Sequence, residues 1–272
     1  MAVATDRTDT SEGESTRLGR AWALVWPPLV TALVVGFAWE GTVQALDIPA
    51  YFIPAPSTIW QAFWTRPGDM MFHAGVTLLE AVSGCLIGSL LGAVLGAMFA
   101  YSRLLARGLL PYFIAANTIP VVAMAPIIIL WFGHGLQSKI AVTTFLSFFP
   151  LALNMMKGLQ SYDRVISDVF HVAAAGPVQS FLKMRLPSAL PYVFVGLRIN
   201  VTYSVIGAIV AEFVQADKGL GFVIMTNYRQ LSMPRLWAAL FISAFIGITF
   251  FAIVNVIERL SIPWHSSMRS ES

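Results

Sequence analysis

The sequence predicts an all-α integral membrane protein with about six transmembrane helices. Three observations carry this. Of 272 residues, 57% are hydrophobic and only 11% charged, whereas a soluble domain keeps about a quarter of its residues charged. Mean hydropathy is +0.72. Several apolar runs reach the ~20 residues that a helix needs to cross the hydrocarbon core, and a helix satisfies its own backbone in lipid. The net charge of +3 and pI near 9.2 give no reason to expect a nucleic-acid partner. The basic residues are dispersed among the apolar runs, as the positive-inside bias of short loops requires.

Residues 1–20 are polar and rich in Ser, Thr, Asp and Glu, so a disordered tail is expected. Residues 21–71 hold a first span, about Trp22 to Val43, and an interfacial segment. The apolar run Ala21–Trp39 exceeds a signal-peptide core, so the span is expected to be retained. In "IPAYFIPAPSTIWQAFWTRPGD", Pro49, Pro54 and Pro56 forbid a continuous helix. Ser57 is placed to cap a short helix whose Trp60, Phe63 and Trp64 suit the headgroup level.

Residues 72–258 form the core of the protein, with residues 259–272 as a C-terminal tail. The second span, Phe72–Tyr101, carries Gly84, Gly88, Gly92 and Gly96 four residues apart, followed by Ala100. Such a stripe lets a neighbouring helix approach closely; it serves tight packing or a sliding contact. The third span, Leu110–Phe132, contains Pro120 and Pro126, each of which removes a donor and kinks or loosens the helix. Asn117 and Thr118 beside them either satisfy the freed backbone or face a polar pathway. The remaining spans are Ser138–Met156, Tyr192–Val214 and Leu236–Ile257.

Lys and Arg set the orientation. With the N-terminus inside, Arg7, Arg17, Arg20, Arg103, Arg107, Lys157, Arg164, Lys183, Arg185, Arg259 and Arg269 are cytoplasmic. Arg66, Lys139, Lys218, Arg229 and Arg235 lie outside, and Arg198 falls in the fifth span. Eleven against five predicts both termini in the cytoplasm.

Glu40, Glu80 and Glu212 are the acids deepest in apolar sequence. Buried acids are costly in a membrane and face a bundle interior or a watery cavity. Glu212, just before "VQADKGLGFVI", either lines a pathway or hydrogen-bonds the loop backbone. Candidate pathway residues are therefore Asn117, Thr118, Pro120 and Glu212. Signs of catalysis are missing. The chain has no P-loop; Gly219-Leu220-Gly221 is an isolated G-x-G without the surrounding strand and helix; His73, His134, His171 and His265 form no metal-binding spacing. Cys85 is the single cysteine and lies in a span, so no disulfide framework exists.

Between the fourth and fifth spans, residues 159–191 interrupt the apolar sequence with a basic segment. From about Asp163 to Gly176 an amphipathic helix is predicted, with Val169, Phe170 and Val172 set against Asp168 and His171. Ala173, Ala174 and Ala175 give a small-residue surface. A basic stretch with Phe181, Leu182, Lys183 and Arg185 follows, and Leu186-Pro187 is expected to turn the chain back to the membrane.

This segment resembles the EAA loop of ABC importer permeases. Counted back from Leu186-Pro187, Phe181 and Lys183 fall on the family's aromatic and basic positions, and Pro191, Gly196, Leu197 and Arg198 complete a "P…GLR" close. The front half departs from the pattern. Asp168 stands where Glu is usual, Val169 and Phe170 replace two alanines, and Ala174 takes the family glycine's place, with Gly176 two residues later. "FIPAPSTIWQAF", "TLLEAVSG", "IPVVAMAPIIILWFGHGLQSK", "FFPLALN" and "AEFVQADKGLG" are similar, in order and spacing, to the branch that imports nitrate, taurine, alkanesulfonates and thiamine-pyrimidine or riboflavin-type compounds.

The resemblance implies a type I ABC importer permease fold and a non-catalytic subunit in the inner membrane of a prokaryote. It implies a homodimer of permeases, two cytoplasmic ATP-binding cassette subunits that use ATP and Mg²⁺, and an extracytoplasmic substrate-binding protein. No cofactor is expected on this chain. Contact with the ATPase would fall to Asp168, Val172, Ala173, Ala174, Ala175, Gly176, Phe181, Lys183, Leu186 and Pro187. A self-sufficient secondary transporter or channel is the alternative; many such folds show internal repeats and midplane charges. Basic residues on the expected path are scarce, which favours a neutral or heteroaromatic solute over an anion.

Overall fold

A computed structural model describes residues 9–262 as a helical bundle. Helix α1 (Asp9–Ala45) leads to the short α2 (Pro56–Thr65), then α3 (Pro67–Tyr101), α4 (Arg103–Asn117), α5 (Val121–Phe132) and α6 (Leu136–Leu159). After α6 come α7 (Arg164–Val172), a single turn α8 (Pro177–Ser180), a π-helical turn Phe181–Arg185, α9 (Leu186–Gln215), α10 (Leu220–Arg229) and α11 (Met233–Ser261). Helix α1 takes in residues 9–20, where composition predicted a disordered tail; residues 1–8 and 263–272 lie outside the described residues.

Among the described residues, four helical runs are long and apolar enough to cross a membrane: 67–101, 136–159, 177–214 and 233–261. The pair α4–α5 makes five when counted as one broken span. The expected count of about six is not confirmed by this set. The expected first span, about Trp22 to Val43, lies within α1.

The expected third span is broken rather than kinked. Helices α4 and α5 meet at 103° across residues 118–120. Pro120 lacks the amide to continue α4, and its fixed φ begins α5 as the N-cap. Pro126 stays inside α5, whose flank Ala125 and Ile128 packs on Val142 of α6 and Ala211 of α9.

The core is the triplet α3–α6–α9, and glycine builds both of its seams. On α3, a Cβ at Gly84 would lie 2.4 Å from Thr143, at Gly92 2.5 Å from the Phe148 carbonyl, and at Gly96 2.4 Å from the Ala152 carbonyl. At Gly92 and Gly96 these are backbone-to-backbone approaches, and at Gly84 the Thr143 side chain fills the space, so the predicted stripe is a packing seam. The second seam opposes Gly158 of α6 to Ala189 and Tyr192, and Gly196 and Gly207 of α9 to Leu151 and Thr143. Small residues gain close van der Waals contact where lipid offers no hydrophobic drive. Helix α11 joins α9 through Arg198, which bonds Glu258 and Asn255, and joins α3 through Arg235 and Asp69.

Helix α2 begins differently from expectation. Its N-cap is Ala55, Pro56 occupies the first turn, and Ser57 lies within the helix. The capping group comes from α1: Glu40 accepts the Ser57 amide (2.9 Å) and the Ser57 hydroxyl (2.7 Å). A carboxylate at a helix N-terminus satisfies free amides and complements the dipole, so Ser57 is the capped residue.

Candidate functional site

Two regions carry polar chemistry, one at each end of the triplet. At the α10 end, Glu212 is 1% exposed and accepts hydrogen bonds from Thr77 Oγ1 (2.7 Å) and the Gly221 amide (2.5 Å). Thr77 Oγ1 in turn accepts the Leu220 amide (2.8 Å), and His73 Nδ1 accepts the Gly219 amide (3.0 Å). Three successive amides at the start of α10 are thereby held by side chains of α3 and α9. His73 Nε2 faces Asp69 at 3.5 Å, and an Nδ1 that accepts places the ring proton on Nε2.

Glycine makes this clasp possible. Gly219 has φ +102°, and a Cβ there would sit 2.0 Å from the Glu212 carboxylate. One at Gly221 would lie 2.7 Å from Glu212 Cβ. Next to the clasp, Lys139 Nζ of α6 is 3.4 Å from Glu80 Oε1, and both side chains are buried. That is ion-pair distance without hydrogen-bond alignment, since neither Glu80 oxygen has a hydrogen-bond partner. Removing one member of a buried pair leaves an uncompensated charge, which costs about 3–5 kcal/mol.

The four expected pathway residues are not gathered into one lining. Asn117, Thr118 and Pro120 are exposed at the α4–α5 elbow, where Thr118 Oγ1 donates to its own helix at the Ala115 carbonyl (2.7 Å). Glu212 is buried in the clasp, in the geometry of the loop hydrogen bond, the second of the two roles its sequence position allowed. Thr77 has no signal of its own in the sequence, and His73 is visible there only as a histidine without metal-binding spacing; they lie 135 and 146 residues from their partners. Their spacing on α3 with Glu80, on one buried face, was the available signal.

At the opposite end, α7 projects from the bundle. Asp163 caps it by accepting the Val165 amide (2.9 Å), and none of its residues is buried. Val165, Ile166, Val169 and Val172 are exposed, Val172 to 90%, so a polar–apolar helix shows its apolar residues to solvent. The helix stops at Val172, short of Gly176. Ala174 donates to the His171 carbonyl and Ala175 to the Phe170 carbonyl, each at 3.0 Å. With Ala174 at φ +49°, this is a Schellman turn, whose left-handed residue is ordinarily glycine. Asp168, Ala173 and Gly176 are exposed beside it and Ala175 half-buried.

Leu186-Pro187 does not stop the helix. Helix continues from the π-turn into α9, and the Leu186 amide donates to the Phe181 carbonyl one residue further back than in an α-helix. The wider turn precedes Pro187, whose ring would clash with a regular i−4 carbonyl. Phe181, Leu186 and Pro187 are half-buried and Lys183 exposed. Arg185 stacks its guanidinium on Tyr101 (5.0 Å to the ring centre) and Tyr162 (4.8 Å).

Fold and site together define a membrane-spanning helical subunit that displays a polar loop at one end. Its polar groups work on structure, and no group of three or more metal-ligating side chains occurs among the described residues. Residues 88–263 match the family described as binding-protein-dependent transport system inner membrane component, and the chain belongs to that family. It is an ABC transporter permease component, not an enzyme. It is 34% identical to the formylaminopyrimidine transport permease protein ThiX of Halalkalibacterium halodurans, over 87% of this chain and 95% of that one. Identity is 35% to the riboflavin transport system permease protein RibX of Chloroflexus aurantiacus (89% and 92%). The taurine transport system permease protein TauC of Escherichia coli is 26% identical (94% and 96%).

Proposed function

We propose that this chain is the pore-forming subunit of an ATP-driven importer, working as a pair, with α7 as the helix that a separate cytoplasmic ATPase grips. The carrying observation is α7 itself: a capped amphipathic helix with no buried residue and with Val165, Ile166, Val169 and Val172 exposed. An apolar helix face is read by a groove, and ATPase closure would move the loop as a rigid body. An outer binding protein would deliver the solute, and both termini would be cytoplasmic. The solute would be a small heteroaromatic compound of the pyrimidine or flavin kind. Identity supports this, being higher to the two relatives named for such compounds than to the taurine relative. Few cations stand near the expected path, which agrees.

Affinity purification of the tagged protein from gently solubilised native membranes tests the reading. The wild type should bring an ATPase with it. Val172→Asp, which puts charge on the exposed face without disturbing the Schellman turn, should lose most of it. An ATPase retained by Val172→Asp would remove α7 from the contact. A chain that arrives alone and transports on an ion gradient would return the secondary-transporter reading.

A further inference from the structure

The coupling loop has an unusual exit. Five residues, Phe181–Arg185, form a π-turn, a break in the regular i→i−4 ladder and a place where helices kink. Pro187, which has no amide, follows two residues later. Since α7 buries no residue, its displacement reaches the spans through its two flanks. One flank is thus a soft spot placed where stiffness is needed.

Arg185 braces this spot. Its guanidinium lies over Tyr101, the last residue of α3, and over Tyr162, which follows α6 and precedes α7. Arg185 itself leads into α9. The stack therefore joins the near ends of α3, α6 and α9, the helices that form the glycine-packed core. A weaker tie runs alongside, from Ser161 Oγ to the Ser188 carbonyl at 3.4 Å.

We propose that Arg185 is a positioning residue that, clamped by Tyr101 and Tyr162, locks the loop's exit to its entry and to α3. A push on α7 is then passed to three spans as one body. This rests on the reading of α7 as the ATPase-bound helix. A planar guanidinium can stack on two ring faces at once, which an ammonium does poorly. The rings act through their faces, so phenylalanine serves and leucine does not.

Hydrogen exchange read by mass spectrometry, on the full chain in nanodiscs, tests the clamp in two arms. In the first, without nucleotide, Arg185→Gln should speed exchange at residues 160–163 and 184–188 roughly tenfold, the size expected when two partly exposed cation–π contacts are lost together, and Tyr162→Leu, which removes one of them, should speed it roughly three-fold. Tyr162→Phe should match the wild type, and Arg185→Lys should not. In the second, the complex with its co-purified ATPase is trapped with ATP and vanadate. Arg185→Gln should keep the exchange change at α7 and lose it at residues 217–221. Unchanged exchange in the first arm, Tyr162→Phe behaving as Tyr162→Leu, or a normal far-end change in Arg185→Gln overturns the proposal. An ATPase that fails to accompany the wild type overturns the functional reading instead, leaving the first arm to judge the clamp.

Discussion

Replacing Glu212 separates a pathway role from a structural one, and the clasp sets the size of the effect. In Glu212→Gln the side-chain oxygen can keep the Gly221 amide, while its NH₂ turns to Thr77. Thr77 Oγ1 already accepts the Leu220 amide and lies 3.2 Å from the His73 carbonyl. Its hydroxyl can re-aim there and accept from the new NH₂. The Gly221 and Leu220 amides and the Thr77 hydroxyl all keep partners. Two charge-assisted bonds become neutral ones, at about 1 kcal/mol each, so the loss is about 1–2 kcal/mol. Glu212→Ala leaves the Gly221 amide unpaired in a cavity, and desolvation plus lost packing bring the cost to about 3–5 kcal/mol.

At ~2–4 °C per kcal/mol for a chain of this size class, Glu212→Gln should lower the midpoint of thermal unfolding in detergent by about 2–8 °C. Glu212→Ala should lower it about twice as far or more. Gly219→Ala should exceed the glutamine variant, because its Cβ meets the carboxylate at 2.0 Å with φ at +102°. Fluorescence-detected size-exclusion after a temperature ramp reads all three. Transport by the surviving Glu212→Gln protein should stay near the wild type. A glutamine variant with full stability and abolished transport would refute the clasp as the reason for this acid and restore it to the pathway.

Other substitutions test the seam and the loop. Gly92→Val drives a branched side chain into the Phe148 carbonyl and should abolish the folded peak in size-exclusion, whereas Gly75→Ala, with nothing within 4 Å, should leave it unchanged. Ala174→Gly removes a left-handed alanine that costs about 1–2 kcal/mol, partly offset by glycine's greater chain entropy. Amide exchange at residues 173–175 should slow by a few-fold, and faster exchange there would contradict the Schellman assignment.

Apolar runs and their lengths placed α3, α6, α9 and α11 because burial in lipid is written directly into composition. The Pro120 break was also visible, since a missing amide is local, although its 103° angle depends on where α5 finds its packing partners. Ser57 misled because it has the chemistry of an N-cap, yet the α1 carboxylate Glu40 reaches it from 17 residues away. The clasp was half legible. Glu212 stands out as an acid in apolar sequence, while Gly219-Leu220-Gly221 reads in isolation only as a weak nucleotide signal. Its glycines are needed because a carboxylate fills the space a Cβ would take. Nothing local tied these residues to His73 and Thr77, since the pairing exists only after α3 packs beside α9.

Glycine explains why α3, α6 and α9 behave as a unit. Where backbones touch at 2.4–2.5 Å from a notional Cβ, a slide along the seam would bring side chains into carbonyls, so the seam resists shear. The Glu212 clasp pins the α10 end of this body, and the Lys139–Glu80 pair lies beside it. The elbow helices α4 and α5 attach by apolar contacts and aromatic rings, Phe113 against Phe99, Phe148 and Phe149, which permit sliding as polar clasps do not. Rearrangement within one chain should therefore occur between α4–α5 and the triplet. The triplet itself should move whole, as the proposed coupling through α7 requires.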